Sequence, residues 1–110
     1  MTKAMKISED FEVEVVDFVP GLTFLQGCVQ GYVEVVDFDI NGVQVSMWLN
    51  EEGKGVFNQN DIATLMVRHR LFAGDYIAGP VVITGLPDGD GNTQGLTDYE
   101  TAALKTWMGL

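Results

Sequence analysis

The chain has 110 residues, which fits one domain with one core, and no apolar run approaches the roughly 20 residues that span a bilayer. Sixteen acidic side chains against six basic ones give a net charge of −10, the wrong sign for non-specific binding to nucleic-acid phosphate or an anionic membrane. The single cysteine, Cys28, rules out an internal disulfide and with it a small disulfide scaffold.

In chain order, MTKAMKISED is polar, lacks the apolar centre of a secretory signal and is expected to be frayed over residues 1–10. FEVEVVDF, Phe11 to Phe18, alternates acids with β-branched residues and predicts a strand, broken by Pro20-Gly21. Leu22, Leu25 and Val29 share a helical face, so a short helix is expected to about Gln30, with Gly31 as a left-handed stop. YVEVVDFDI, Tyr32 to Ile40, and VQVSMWLN flank Asn41-Gly42, the strongest short-range hairpin signal. That turn pairs Ile40 with Val43, Phe38 with Val45 and Val36 with Met47, all on one face.

Asn50 to Gly55 reads as a polar turn, with Gly53 expected to supply a left-handed position. A helix is predicted from about Asn60 to Phe72, capped by Asn58 or Asn60, with Ile62, Leu65, Met66 and His69 on its core face. Val81 to Thr84 is the centre of the next strand, and Pro80 is expected at an edge or bulge. After the turn-rich LPDGDGNTQG, Thr97-Asp98-Tyr99-Glu100 forms a capping box at the start of a helix reaching about Met108. The order β-α-β-β-α-β-α predicts an α+β two-layer sandwich over residues 1–110. It has a mostly antiparallel sheet, helices on one face, and a possible ferredoxin-like order.

The hexapeptide VEVVDF occurs twice, at 13–18 and 33–38. Its flanks differ, so the economical reading is two strands of one sheet with the same local geometry. The hairpin register sets Trp48 against Val35, beside Val33, on the face opposite the core. Either a β-bulge at Val35-Val36 turns Val33 and Val35 inward, or the three mark an interface such as a homodimer.

Catalytic patterns are missing. No G-x-S-x-G, Walker A, H-E-x-x-H or G-x-G-x-x-G occurs, and strand carboxylates alternating with valine read as a solvated face. DGDGN, Asp88 to Asn92, opens like a calcium loop, but Thr93 replaces the turn glycine and Tyr99 the bidentate glutamate, so no metal and no cofactor is expected. Cys28 lies among apolar neighbours and reads as a small buried hydrophobe. Arg68, His69 and Arg70 suit the negative end of a helix dipole or, alternatively, an anion site.

VQGYVEVVDF, VSMWLNEEGKG, QNDIATLM and DYIAGPVVITG together resemble the phage- and mobile-element-associated domain of unknown function 3846, over about Val29 to Leu104. The resemblance implies a phage-like genetic context and a cytoplasmic place in a bacterial host. It transfers no activity. It singles out Asn50, Glu51, Gly53 and Lys54 as a shared functional turn. The expected function is a small acidic, non-enzymatic module that binds or regulates a protein partner. The alternative is a small-ligand binder or enzyme using the Asn50–Lys54 turn beside Arg68, His69 and Arg70.

Overall fold

A computed structural model describes residues 2–110. Five strands, β1 (Lys3–Ile7), β2 (Val13–Asp17), β3 (Val33–Ile40), β4 (Val43–Asn50) and β5 (Val81–Gly85), form one sheet in the order β2-β1-β5-β4-β3. Every neighbouring pair is antiparallel. Three helices, α1 (Leu22–Val29), α2 (Asp61–Met66) and α3 (Asp98–Met108), complete the α+β fold that the order of elements predicts.

The central strand, β5, is buried at all five positions, which is why Val-Val-Ile runs unbroken there instead of alternating with polar residues. Pro80 directly precedes β5, so it sits neither at an edge nor in a bulge and removes no ladder donor. The larger core lies between the sheet and the layer holding α2 and α3. It joins Met5, Ile7, Val45, Met47, Val81 and Ile83 to Ala63, Met66, Val67 and Leu104. Helix α1 lies on the opposite face. Its Leu25, Cys28 and Val29 need apolar ground, and Ala4, Val16, Val82 and Trp48 supply it there.

Of the residues 1–10 expected to be frayed, Met1 lies outside the described residues and residues 3–7 are ordered in the sheet. Lys3–Ile7 is a strand held between β2 and β5. Ala4, Met5 and Ile7 are fully buried, and Lys3 Nζ donates to Asp17 Oδ1 at 2.6 Å. The two lysines masked an apolar strand with both faces covered. This added strand displaces β2 to the sheet edge, so the ferredoxin-like order does not form.

The helix expected to reach Phe72 stops at Met66, and a tight 3-10 turn follows at Arg68–Arg70. Its core face is Ala63, Thr64, Met66 and Val67, while Leu65 and His69 are exposed. The rotation follows from polar anchors. Asn60 Oδ1 accepts from the Ala63 amide, and the buried Thr64 hydroxyl accepts from the Ile77 amide at 2.9 Å. Both side chains must face inward, which turns Leu65 out.

The β3–β4 hairpin has the expected register: Ile40 faces Val43, Phe38 faces Val45, Val36 faces Met47 and Val35 faces Trp48. Asn41 and Gly42 have φ of 45° and 80°, as a type I′ turn requires. The ladder is continuous, so no bulge forms at Val35-Val36. The two VEVVDF copies become β2 and β3, the two edges of the sheet. Helix α3 starts on the complete Thr97–Glu100 capping box.

Candidate functional site

The Asn50–Lys54 turn starts where β4 leaves the sheet. Asn50 Nδ2 donates to the Val29 carbonyl at 3.1 Å and the Gln30 carbonyl at 3.2 Å, and Oδ1 accepts from the Glu52 amide at 2.8 Å. Asn50 therefore caps the C-terminal end of α1 and shapes its own turn. Gln30, not Gly31, holds the left-handed stop, with φ of 63°. Gly31 is needed for another reason: a Cβ there would lie 2.6 Å from Asn50 Nδ2.

Gly53 is not left-handed either. A Cβ on Gly53 would come within 2.6 Å of the Ala78 carbonyl oxygen, so close backbone approach explains the glycine. Lys54 forms an ion pair with Asp75 and lies 5.0 Å from the centre of the Tyr76 ring. The hydrogen bond from Lys54 and that from the Tyr76 amide hold Asp75 below the usual carboxylate range, and the same Asp75 bond raises Lys54. Glu51 and Lys54 thus line a cavity of about 210 Å³ with Glu34, Glu52 and Tyr76. The Lys54 ammonium is pinned by Asp75 and held protonated, which does not suit it to act as a base or nucleophile. Glu34, Asp75 and Tyr76 escaped the sequence reading, because they reach the turn from other segments.

Arg68, His69 and Arg70 are exposed. Arg70 lines a different cavity, of about 190 Å³, with Asp37, Asp39, Gln44 and Leu86. The cationic turn and the Asn50–Lys54 turn therefore do not share a cavity. Arg68 and Arg70, the chain's only arginines, form no ion pair among the described residues. Phe72 follows them and is 89% exposed.

Val33 and Trp48 are partly buried against the α1 cluster, and the Trp48 Nε1–H donates to Thr84 Oγ1 at 2.9 Å. Val35, on the edge strand, is 44% exposed. The apolar ground suspected of binding a partner is thus largely occupied by a helix of the same chain.

The family model described as "Domain of unknown function (DUF3846)" matches residues 1–108. The chain belongs to the DUF3846 family. No curated protein and no solved structure matches it. The family match is wider than Val29 to Leu104 and includes β1 and the first VEVVDF copy. That extent fits a sheet in which Lys3–Ile7 joins β2 to β5.

Elsewhere in this DUF3846 domain, the Asp88 carboxylate accepts from the amides of Asp90 and Asn92 and from the side chains of Asn92 and Gln94. The backbone bond from Asn92 is the main cause of its lowered pKa. The loop uses Asp88 as its own hub, in an Asx-type turn. Among the described residues no group of three or more His, Cys, Asp or Glu is placed to hold a metal ion. Burial pushes the Cys28 thiol pKa up, so it is a weak nucleophile at neutral pH. No helix among the described residues is long and apolar enough to cross a membrane.

Proposed function

We propose that this DUF3846 domain is a non-enzymatic protein-binding module, and that its binding surface is formed by the exposed side chains of the Leu65–Phe72 segment: Leu65, Arg68, His69, Arg70 and Phe72. One observation carries the reading: Phe72 is 89% exposed directly after Arg68 and Arg70, which have no ion-pair partner among the described residues. Exposing a phenylalanine costs the fold its burial energy, and arginine with aromatic residues dominates protein interfaces. A chain of charge −10 repels polyphosphate, so a protein partner fits better than nucleic acid. The phage context and the cytoplasm of a bacterial host, implied by the family resemblance, give the setting in which partners are sought.

The small-ligand reading is weaker. The Asn50–Lys54 cavity, at about 210 Å³, is below the roughly 300–1,000 Å³ of ordinary ligand sites, and Asn50 is spent on backbone carbonyls. The test is parallel capture from a bacterial lysate with the wild type and an Arg68→Glu/Arg70→Glu/Phe72→Ala variant. A partner retained by the first and lost by the second is expected. An identical set of captured proteins would overturn the reading.

A further inference from the structure

The β1–β2 hairpin and the Arg68–Phe72 turn carry opposite charge, each around one exposed phenylalanine. At the β2 edge, the β1–β2 hairpin displays Glu9, Asp10, Phe11 and Glu12, and Phe11 is 62% exposed. Beside it runs an open groove of about 520 Å³, lined by Glu9, Asp10, Glu12 and Glu14 and by only one cation, Lys6. The turn with Arg68, His69, Arg70 and Phe72 lies elsewhere: Arg70 shares a cavity with Asp37 and Asp39 of β3, Gln44 of β4 and Leu86. The strand order puts β2 and β3 at opposite ends of the sheet, and although Asp37 and Asp39 line the cavity of Arg70, neither arginine forms an ion pair among the described residues.

We propose that the partner of the Leu65–Phe72 surface is a second copy of this chain: the Arg68–Phe72 turn of one copy docks on the Glu9–Glu14 hairpin of the next. This inference rests on the binding reading above and names its partner. Two guanidinium groups meet a groove with an excess of carboxylates, and Phe72 meets Phe11. Net repulsion between two chains of charge −10 acts over the whole surface and is screened beyond about 8 Å at physiological salt, while the docked charges are in contact. The two patches differ, so the contact is heterologous. It propagates head to tail into short chains or closes as a ring.

The test is a charge swap read by sedimentation and light scattering of the full chain, with circular dichroism confirming the fold of each variant. Wild-type protein is expected to show a mass that rises with concentration up to about 1 mM, the range of weak contacts. Arg68→Glu/Arg70→Glu places acid against acid, and Glu9→Arg/Glu12→Arg places base against base. Each variant alone should associate on the order of tenfold more weakly, or not at all. Mixed together, each variant's turn matches the other's hairpin, and association should return. A wild type that stays monomeric, or a mixture that does not associate, overturns the proposal. If the wild type is monomeric yet loses a lysate partner on reversal of the turn, self-association fails and the binding reading stands. If reversal of the turn changes neither mass nor partners, both fail.

Discussion

Replacing Asn60 tests whether the asparagine that opens α2 holds the fold together. Asn60 is fully buried. Its Oδ1 accepts from the Ala63 amide at 3.1 Å, and its Nδ2 donates to the Ile7 carbonyl at 3.0 Å and the Gly79 carbonyl at 2.9 Å. One side chain thus caps a helix and ties it to β1 and to the segment entering β5. In Asn60→Ala the lost cap costs about 1 kcal/mol, and each of the two buried carbonyls loses a donor worth about 1 kcal/mol. The sum, about 3 kcal/mol, lowers the melting temperature by roughly 10–20 °C for a domain of this size. Asn60→Asp is the sharper perturbation. It keeps the cap acceptor but sets a carboxylate oxygen against two carbonyl oxygens, so it should cost at least as much as alanine at pH 7. Urea unfolding of the three proteins measures both effects. If Asn60→Asp lies within about 0.5 kcal/mol of the wild type, only the cap matters and the tie to β1 is illusory.

Phe11 has φ of 66°, a left-handed conformation that a bulky residue adopts at a cost, so Phe11→Gly should stabilise the fold by about 1 kcal/mol in thermal melts. An unchanged or lower melting temperature would show that Phe11 packs more than its exposure indicates. Gly53→Ala should destabilise by about 1–3 kcal/mol through the Ala78 carbonyl, while Gly55→Ala, with open space at its Cβ, should not; equal effects would undo the close-approach account. Asp17, Asp75 and Asp88 have pKa values lowered in the folded state, chiefly by Lys3, by Lys54 and by the Asn92 amide respectively. Depressed carboxylates stabilise above their unfolded pKa of about 4, and that contribution is lost as pH falls through the folded values. The stability gap between wild type and Asp88→Asn should therefore be present at pH 6 and shrink towards pH 3, whereas a gap independent of pH would refute the charge as its cause. Cys28 should resist a thiol reagent at pH 7 until denaturant is added, and rapid labelling of the native protein would contradict its burial.

The hairpin between β3 and β4 was legible to the residue, because Asn-Gly restricts the turn and a period of two leaves one register that buries Phe38, Val45 and Met47. The Thr97–Glu100 capping box was legible for a similar reason, since it needs only local spacing. Strand β1 was not. Lys3 and Lys6 in a five-residue strand swamp its alternation, and burial of Ala4 on one face and Met5 on the other depends on layers supplied from far along the chain. The end of α2 was misread because Thr64, bonded to Ile77, turns the helix in a way that its apolar spacing does not show. For the candidate turn, the residues were found but not their tasks. Asn50 and Gly53 answer to α1 and Ala78, segments whose approach no local pattern announces.

The placement of VEVVDF at both margins of the sheet bears on how wide a sheet can grow. A free edge invites another strand. Aligning one hexapeptide antiparallel with another along its full length sets Val13 opposite Phe18 and Glu14 opposite Asp17, or Glu34 opposite Asp37 in the other copy. Since the two margins share the same six residues, β2 on β2, β3 on β3 and β2 on β3 all meet the same pair of opposed carboxylates, and like charges directly opposite are destabilising. In that register a single short sequence thus disfavours all three pairings by which two sheets could fuse through their backbones, and contact between copies through side chains is spared the same penalty.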